Sequence, residues 1–152
     1  MNAEIKRILI VDDSPKDVEL TIAALATANL ANGVSVAEDG EEALDFLYRR
    51  GKFVNETSYP AVILLDIKMP KMNGIEVLKH IRSSPLFKLI PVIMVTSSRE
   101  EKDLVESYEL GANSYVVKPV DIIQFIGAIK VLGQYWAVIN QPPPAGRIMQ
   151  PK

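Results

Sequence analysis

The feature that most restricts this chain is an alternation between two kinds of segment. Short apolar runs occur at Ile8–Val11, Val34–Ala37, Ala61–Leu65, Val92–Val95 and Tyr115–Val117. They are rich in Val, Ile and Leu and bounded by polar residues, Gly or Pro, as strands covered on both faces should be. Between them lie longer stretches with helical spacing. Val18, Ile22 and Leu25 share one face of the first, Ala43, Leu44 and Leu47 of the second, and Ile75, Leu78 and Ile81 of the third. Leu104, Val105 and Tyr108 mark the fourth, and Ile122, Ile126 and Ile129 the fifth. Pro15 follows a Ser14 able to cap, and Gly111 stands where a helix C-terminus favours glycine. Five strands alternating with five helices predict right-handed crossovers. The expected fold is a three-layer, doubly wound α/β domain with a five-stranded parallel sheet.

Two segments break the alternation. Arg49–Tyr59 is a longer polar connection, and Gln141–Lys152 carries Pro142, Pro143, Pro144 and Pro151. Proline removes backbone donors, so residues 141–152 are expected to be an extended or disordered tail on a single domain at 1–140. A net charge of -2 gives no basic bias toward nucleic acid, and the absence of Cys excludes disulfides and thiolate metal sites. The apolar segment near the N-terminus stops at Asp12, too short for a signal peptide or a membrane span. A cytoplasmic protein without membrane contact is expected.

Polar residues placed on this scaffold converge. Ligands of open parallel sheets bind beyond the carboxyl ends of the strands. The first strand ends in Asp12-Asp13, the third in Asp66, the fourth in Thr96-Ser97 and the fifth in Lys118-Pro119. Each alone reads equally well as a turn, a cap or a solvated strand end. Together they put three carboxylates, a hydroxyl and an ammonium on one edge. Like charges a few Å apart repel unless a cation is shared or a proton retained. A hard divalent ion with oxygen ligands resolves that conflict, and Mg2+ is the usual choice where phosphate completes the shell. The set reads as an aspartyl-phosphate site, with Asp66 as nucleophile and Lys118 and Thr96 on the phosphoryl oxygens. His80, the only histidine, falls among charged residues and is assigned no role.

The stretches ILIVDDSP at 8–15, ILLDIKMPKMNG at 63–74, VIMVTSS at 92–98 and GANSYVVKP at 111–119 resemble the receiver domain of two-component response regulators. That resemblance implies a flavodoxin-like fold with strand order 2-1-3-4-5 and a phosphorelay function rather than turnover catalysis. It implies Asp66 as phosphoacceptor, charged by a sensor histidine kinase or a phosphotransfer protein. Asp13, Asp66 and the Lys68 backbone carbonyl would hold Mg2+, with Asp12 acting largely through water. Thr96 and Lys118 would grip the phosphoryl group, and Tyr115 would turn inward as Thr96 moves, switching partner binding on helix four, strand five and helix five. Lys68 and Ser98 would flank the path of attacking water, and the Lys118–Pro119 bond would be cis. A degenerate receiver acting as a phosphorylation-independent scaffold is the alternative.

Other classes fit less well. A phosphatase of the haloacid dehalogenase type carries a second Asp two residues after its nucleophile; here Lys68 follows Asp66 and Ser14 follows Asp12 at that spacing. A flavin or nucleotide binder wants a Gly- or Ser/Thr-rich loop after the first strand, where this chain has Asp-Asp-Ser-Pro. The tail is too short and proline-rich for a helix-turn-helix.

The Arg49–Tyr59 connection and the segment VDIIQFIGAIKVLGQYWAVIN also resemble the small regulators that partner bacterial phytochromes. From Ile122 to Ile139 the only charge is Lys130. A helix packed on one side of a sheet needs one apolar face, so spare apolar surface remains. An isologous homodimer through this helix is expected, with Phe125, Ile129, Leu132, Tyr135 and Trp136 in contact.

Overall fold

A computed structural model describes residues 6–144. The strands are β1 (Arg7–Val11), β2 (Val34–Ala37), β3 (Pro60–Leu65), β4 (Val92–Thr96) and β5 (Ser114–Val117). They pair in parallel in the order β2-β1-β3-β4-β5, the expected topology. The helices are α1 (Pro15–Ala26), α2 (Gly40–Tyr48), α3 (Gly74–Ser83), α4 (Glu101–Glu109) and α5 (Ile122–Gln134). Residues 145–152 of the anticipated tail lie outside the described region.

Strand alternation divides the core into two layers. Leu9, Val11, Ile63, Leu65, Val92 and Met94 face α2 and α3, where Phe46, Leu47, Val77, Leu78 and Ile81 meet them. Ile8, Ile10, Val62, Leu64, Ile93 and Val95 face α1 and α5, against Leu25, Phe125 and Ile129. Central β3 is buried along its whole length, which explains its unbroken apolar run.

Local sequence starts most of the helices. Ser14 accepts from the Asp17 amide at 3.3 Å with Pro15 at the first helical position. Asp39 and Asp121 cap α2 and α5, and Asn73 with Glu76 forms a full capping box on α3. Gly111 follows α4 at φ 98°, as its position in the sequence predicts. The Arg49–Tyr59 connection packs back on the domain, with the Arg49 guanidinium 4.0 Å from the Tyr59 ring centre.

Two expectations need correction. On α4 the apolar face points outward: Leu104, Val105 and Tyr108 are exposed, whereas Asp103 and Ser107 are buried. Asp103 is drawn inward because it accepts from the Ser98 hydroxyl at 2.6 Å. On α5, Phe125 and Ile129 are committed to the core of their own chain and are closed to a partner. The spare apolar surface is instead Ile123, Val131, Tyr135, Val138 and Ile139. Beyond Gln134 the helix continues as a π-helical turn, Tyr135–Ile139, closed by the Asn140 amide on the Tyr135 carbonyl. The added residue rotates the last turn and returns Ala137 to the core. The run Ile122–Ile139 is long and apolar enough to cross a membrane by length and composition alone. Its inner face is nevertheless occupied by the sheet and α1.

Candidate functional site

Every chain crossing delivers its polar residue to the carboxyl edge of the sheet. Asp12 leaves β1 nearly buried, and its Oδ1 accepts from the Ser14 amide at 2.9 Å. Asp13, next along, faces solvent. Asp66 leaves β3 with Oδ1 held by the Ile67 amide at 2.7 Å. One ligand atom from each of Asp12, Asp13 and Asp66 lies within 4.8 Å of the others. That spacing and all-oxygen donor set fit a hard divalent cation, which would remove the mutual repulsion of three carboxylates.

Lys118 completes the cluster from β5. Its Nζ donates to Asp12 Oδ2 at 2.8 Å, Asp17 Oδ2 at 2.8 Å and Asp66 Oδ2 at 3.2 Å. Only 9% of its side chain is exposed. Burial alone would depress its pKa; the hydrogen bonds to Asp12 and Asp17, with the charges of Asp12 and Asp66, outweigh that and raise it well above the ordinary lysine value. Asp12 is pushed up, first by burial and further by Asp66, against the opposing pull of Lys118 and the Ser14 amide.

Thr96 is fully buried at the end of β4, and its Oγ1 accepts from the Ser98 amide at 3.2 Å. The Tyr115 hydroxyl donates to the Ser98 carbonyl at 3.1 Å, and its ring packs half-buried against the α2/α3 layer. It has thus already turned toward the β4–α4 loop. Lys68 does not reach into the acidic cluster; its Nζ lies 3.6 Å from Glu100 and 3.7 Å from Asp103. The Lys118–Pro119 peptide is trans, contrary to expectation, and no cis peptide bond occurs among the described residues. Trans is the lower-energy form of such bonds by about 0.5–1 kcal/mol, and the Lys118 amide still reaches the Thr96 carbonyl at 2.7 Å.

Three residues escaped the sequence reading. Asp17 joins Lys118 because Ser14 fixes where α1 starts, which sets its third residue on the strand-end edge. That cap was visible in the sequence, and the geometry follows from it. Gly74 packs on the backbone of Asp66: a Cβ there would lie 2.0 Å from the Asp66 carbonyl oxygen. No side chain fits, so the MNG stretch shapes the loop that presents Asp66. Asp103 carried no signal, since a helical aspartate flanked by charge reads as solvated.

A five-stranded 2-1-3-4-5 sheet with paired acids, threonine and lysine at its carboxyl edge defines a phosphorelay switch. Residues 8–130 match the response regulator receiver domain family, and the chain belongs to it. It is a receiver domain of two-component signalling, homologous to the phytochrome response regulators. The response regulator Rcp1 of Synechocystis sp. (strain ATCC 27184 / PCC 6803 / Kazusa) is 35% identical over 131 residues, covering 86% of this chain and 88% of that protein. The Mn2+-bound form of response regulator Rcp1 superposes with a TM-score of 0.85 at 34% identity, covering 91% of this chain and 99% of the other. The phosphorylated cyanobacterial phytochrome response regulator RcpA gives a TM-score of 0.87 at 35% identity over 93% of this chain and all of the other. The bacteriophytochrome response regulator RtBRR is 55% identical, covering 93% of this chain and 86% of the other, with a TM-score of 0.72.

Proposed function

We propose that Asp66 is the phosphoacceptor of this receiver and that a sensor histidine kinase or phosphotransfer protein of a phytochrome-type pathway supplies the phosphoryl group. The supporting observation is the Asp66 carboxylate, buried within 3.2 Å of the Lys118 ammonium beside the carboxylates of Asp12 and Asp13. An Asp66 carboxylate oxygen attacks the phosphorus of a phosphohistidine. The P–O bond forms as the P–N bond breaks, the electron pair stays on the imidazole nitrogen, and that nitrogen takes a proton from solvent. The product is an acyl phosphate. Asp12, Asp13, Asp66 and the Lys68 carbonyl would hold a divalent cation, Mg2+ in this reading. When bound, it offsets the acidic charge so that an anionic donor can approach, and it stabilises charge on the transferring oxygens.

Lys118 supplies a point charge to one phosphoryl oxygen and the Thr96 hydroxyl a hydrogen bond to another. Drawing Thr96 toward the phosphoryl group pulls on the Ser98 amide, and through Ser98 on Tyr115 and Asp103. The β4–α4 loop therefore moves with the chemistry, and α4, β5 and α5 present an altered surface to an output protein. The domain is a switch and not a turnover enzyme. The same reading puts it in the cytoplasm, as a single receiver spanning residues 1–140.

Intact mass after incubation with acetyl phosphate and Mg2+ tests the assignment. A labile gain of one phosphoryl group is expected, lost in Asp66→Asn and in a metal-free sample. Persistent labelling of Asp66→Asn would overturn it. No gain, together with no fluoroberyllate binding, would favour a scaffold.

We also propose that α5 pairs with α5 of a second copy. Ile123, Gly127, Val131, Tyr135 and Val138 form one stripe, and a Cβ at Gly127 would meet nothing within 4 Å, which leaves room for a close helix approach. Sedimentation of Val131→Glu as a monomer beside a dimeric parent is the expected result. A monomeric parent at micromolar concentration would remove the pairing.

A further inference from the structure

Asp17 lies outside the set of residues that receiver function calls upon, yet it takes a full share of Lys118. Its Oδ2 is 2.8 Å from Nζ, as near as Asp12 and nearer than Asp66 at 3.2 Å. An ammonium has three donors and no more, and here each is used. Lys118 is therefore shared among Asp17 of α1, Asp12 and the phosphoacceptor, with its longest bond to the last. Asp17 is well placed to compete. Its amide is fixed by Ser14, and it sits in the first turn of a twelve-residue helix, where the N-terminal dipole favours a negative charge. Its side chain is 30% exposed against 7% for Asp12 and 8% for Asp66, because a cavity of about 210 Å³ lined by Lys16, Asp17, Leu20, Pro119 and Phe125 opens beside it.

We infer that Asp17 is a positioning residue that holds Lys118 back from Asp66, so that an arriving phosphoryl group must win the ammonium from α1. The inference rests on Asp66 as phosphoacceptor. Phosphorylation adds roughly one negative charge beyond that of the carboxylate it replaces, which shifts the competition toward Asp66. Lys118 behaves as a compact point charge able to follow it. Asp17 thereby lowers the affinity of the site for the phosphoryl group and biases the domain toward its unphosphorylated state.

The test is calorimetric titration of fluoroberyllate into Mg2+-saturated protein, for the parent, Asp17→Asn, Asp17→Ser and Glu19→Gln. Glu19 is an acid of the same helix that lines the cleft beside Asp12 and Asp13 without bonding Lys118, so its variant reports the effect of a nearby charge that does not hold the ammonium. Loss of one partly exposed ion pair corresponds to tightening of about fivefold in both Asp17 variants. Glu19→Gln should change the constant less than twofold. In metal-free protein the Lys118 side-chain amine resonance should shift in Asp17→Asn and stay in place in Glu19→Gln, while the remaining amide spectrum shows both to be folded. Equal tightening by Glu19→Gln, unchanged affinity in the Asp17 variants, or an unmoved Lys118 resonance would overturn the inference. Failure of the parent to bind fluoroberyllate would instead overturn the assignment of Asp66 on which it depends.

Discussion

Helix α3 enters through a capping box and buries Val77, Leu78 and Ile81. Helix α4, one strand further along, has no side-chain cap from Glu100 and buries Asp103 and Ser107, leaving Leu104, Val105 and Tyr108 exposed. Both helices are amphipathic, and both have apolar residues at helical spacing. One has its apolar stripe on the sheet and the other has it in solvent. α3 is anchored by hydrophobic burial, which is non-directional and stays strong through small displacements. α4 is anchored by a hydrogen bond from Ser98 and by Lys68, and those depend on distance and angle. An element that must shift when Thr96 moves is well served by the second kind of attachment.

The sharpest way to break this comparison is to truncate one side chain on each helix. Leu78→Ala should cost about 2–5 kcal/mol, because it opens a cavity among fully buried neighbours. Tyr108, 52% exposed, should cost within about 0.5 kcal/mol when truncated to Ala. Urea unfolding of the two variants checks both. Similar losses would mean that α4 is seated as α3 is.

Next in size is the polar anchor. Asp103→Ala removes the acceptor of the Ser98 hydroxyl and a partner of Lys68, leaving the Ser98 hydroxyl proton buried without an acceptor while its oxygen still accepts from the Glu100 amide at 3.3 Å. A loss of about 1–3 kcal/mol is expected. More tellingly, amide exchange should quicken in 101–109 and remain slow in 74–83. Uniform acceleration across both helices would show that Asp103 supports the whole domain and not α4 alone.

A smaller effect of opposite sign is expected at Ser107. Its hydroxyl is fully buried and has no hydrogen-bond partner among the described residues. Ser107→Ala relieves that group, and the thermal midpoint should rise, with a gain of about 1 kcal/mol. A fall would reveal a partner gained when α4 moves, which would sharpen the contrast by assigning Ser107 to the switched state.

These helices also mark what the sequence made legible. Strand positions and the acids at strand ends followed from apolar runs and from the rule that ligands gather at carboxyl edges, whereas the strand order came only with the resemblance to receiver domains. Lys118 lies with the acids at that edge, and Thr96 ends the neighbouring β4. Periodicity reveals which face of a helix is apolar, not which way that face points. For α3 the two coincide; for α4, Asp103 finds partners inside that no local pattern discloses. On α5 the surplus of apolar residues was visible, but the π-helical turn at Tyr135–Ile139 and the burial of Phe125 and Ile129 decide which of them remain free. Asp17 was hidden for another reason. Its contact with Lys118 spans 101 residues and depends on where a cap starts a helix.

The smallest effect concerns Tyr115, which ties β5 to the β4–α4 loop through the Ser98 carbonyl. Its phenol is raised above the ordinary tyrosine value, first by burial and further by the charges of Asp103 and Glu100, while the Ser98 hydroxyl and the charge of Lys68 pull the other way. A folded-state value above the unfolded one favours the protonated phenol in the folded protein. The contribution to stability is therefore whole below the unfolded value of about 10 and is lost as pH rises through the folded one. In that same window the hydroxyl ceases to donate to the Ser98 carbonyl, so the β4–α4 loop loses one of its ties. Ultraviolet titration should show a late tyrosine step in the parent, and Tyr115→Phe should remove that late step. Amide exchange in 97–103 should quicken across the late step in the parent, while in Tyr115→Phe it should already be fast at neutral pH. An early Tyr115 step would mean that the ring sits in solvent. The tie between β5 and the loop would then have to be sought in Asp103 alone.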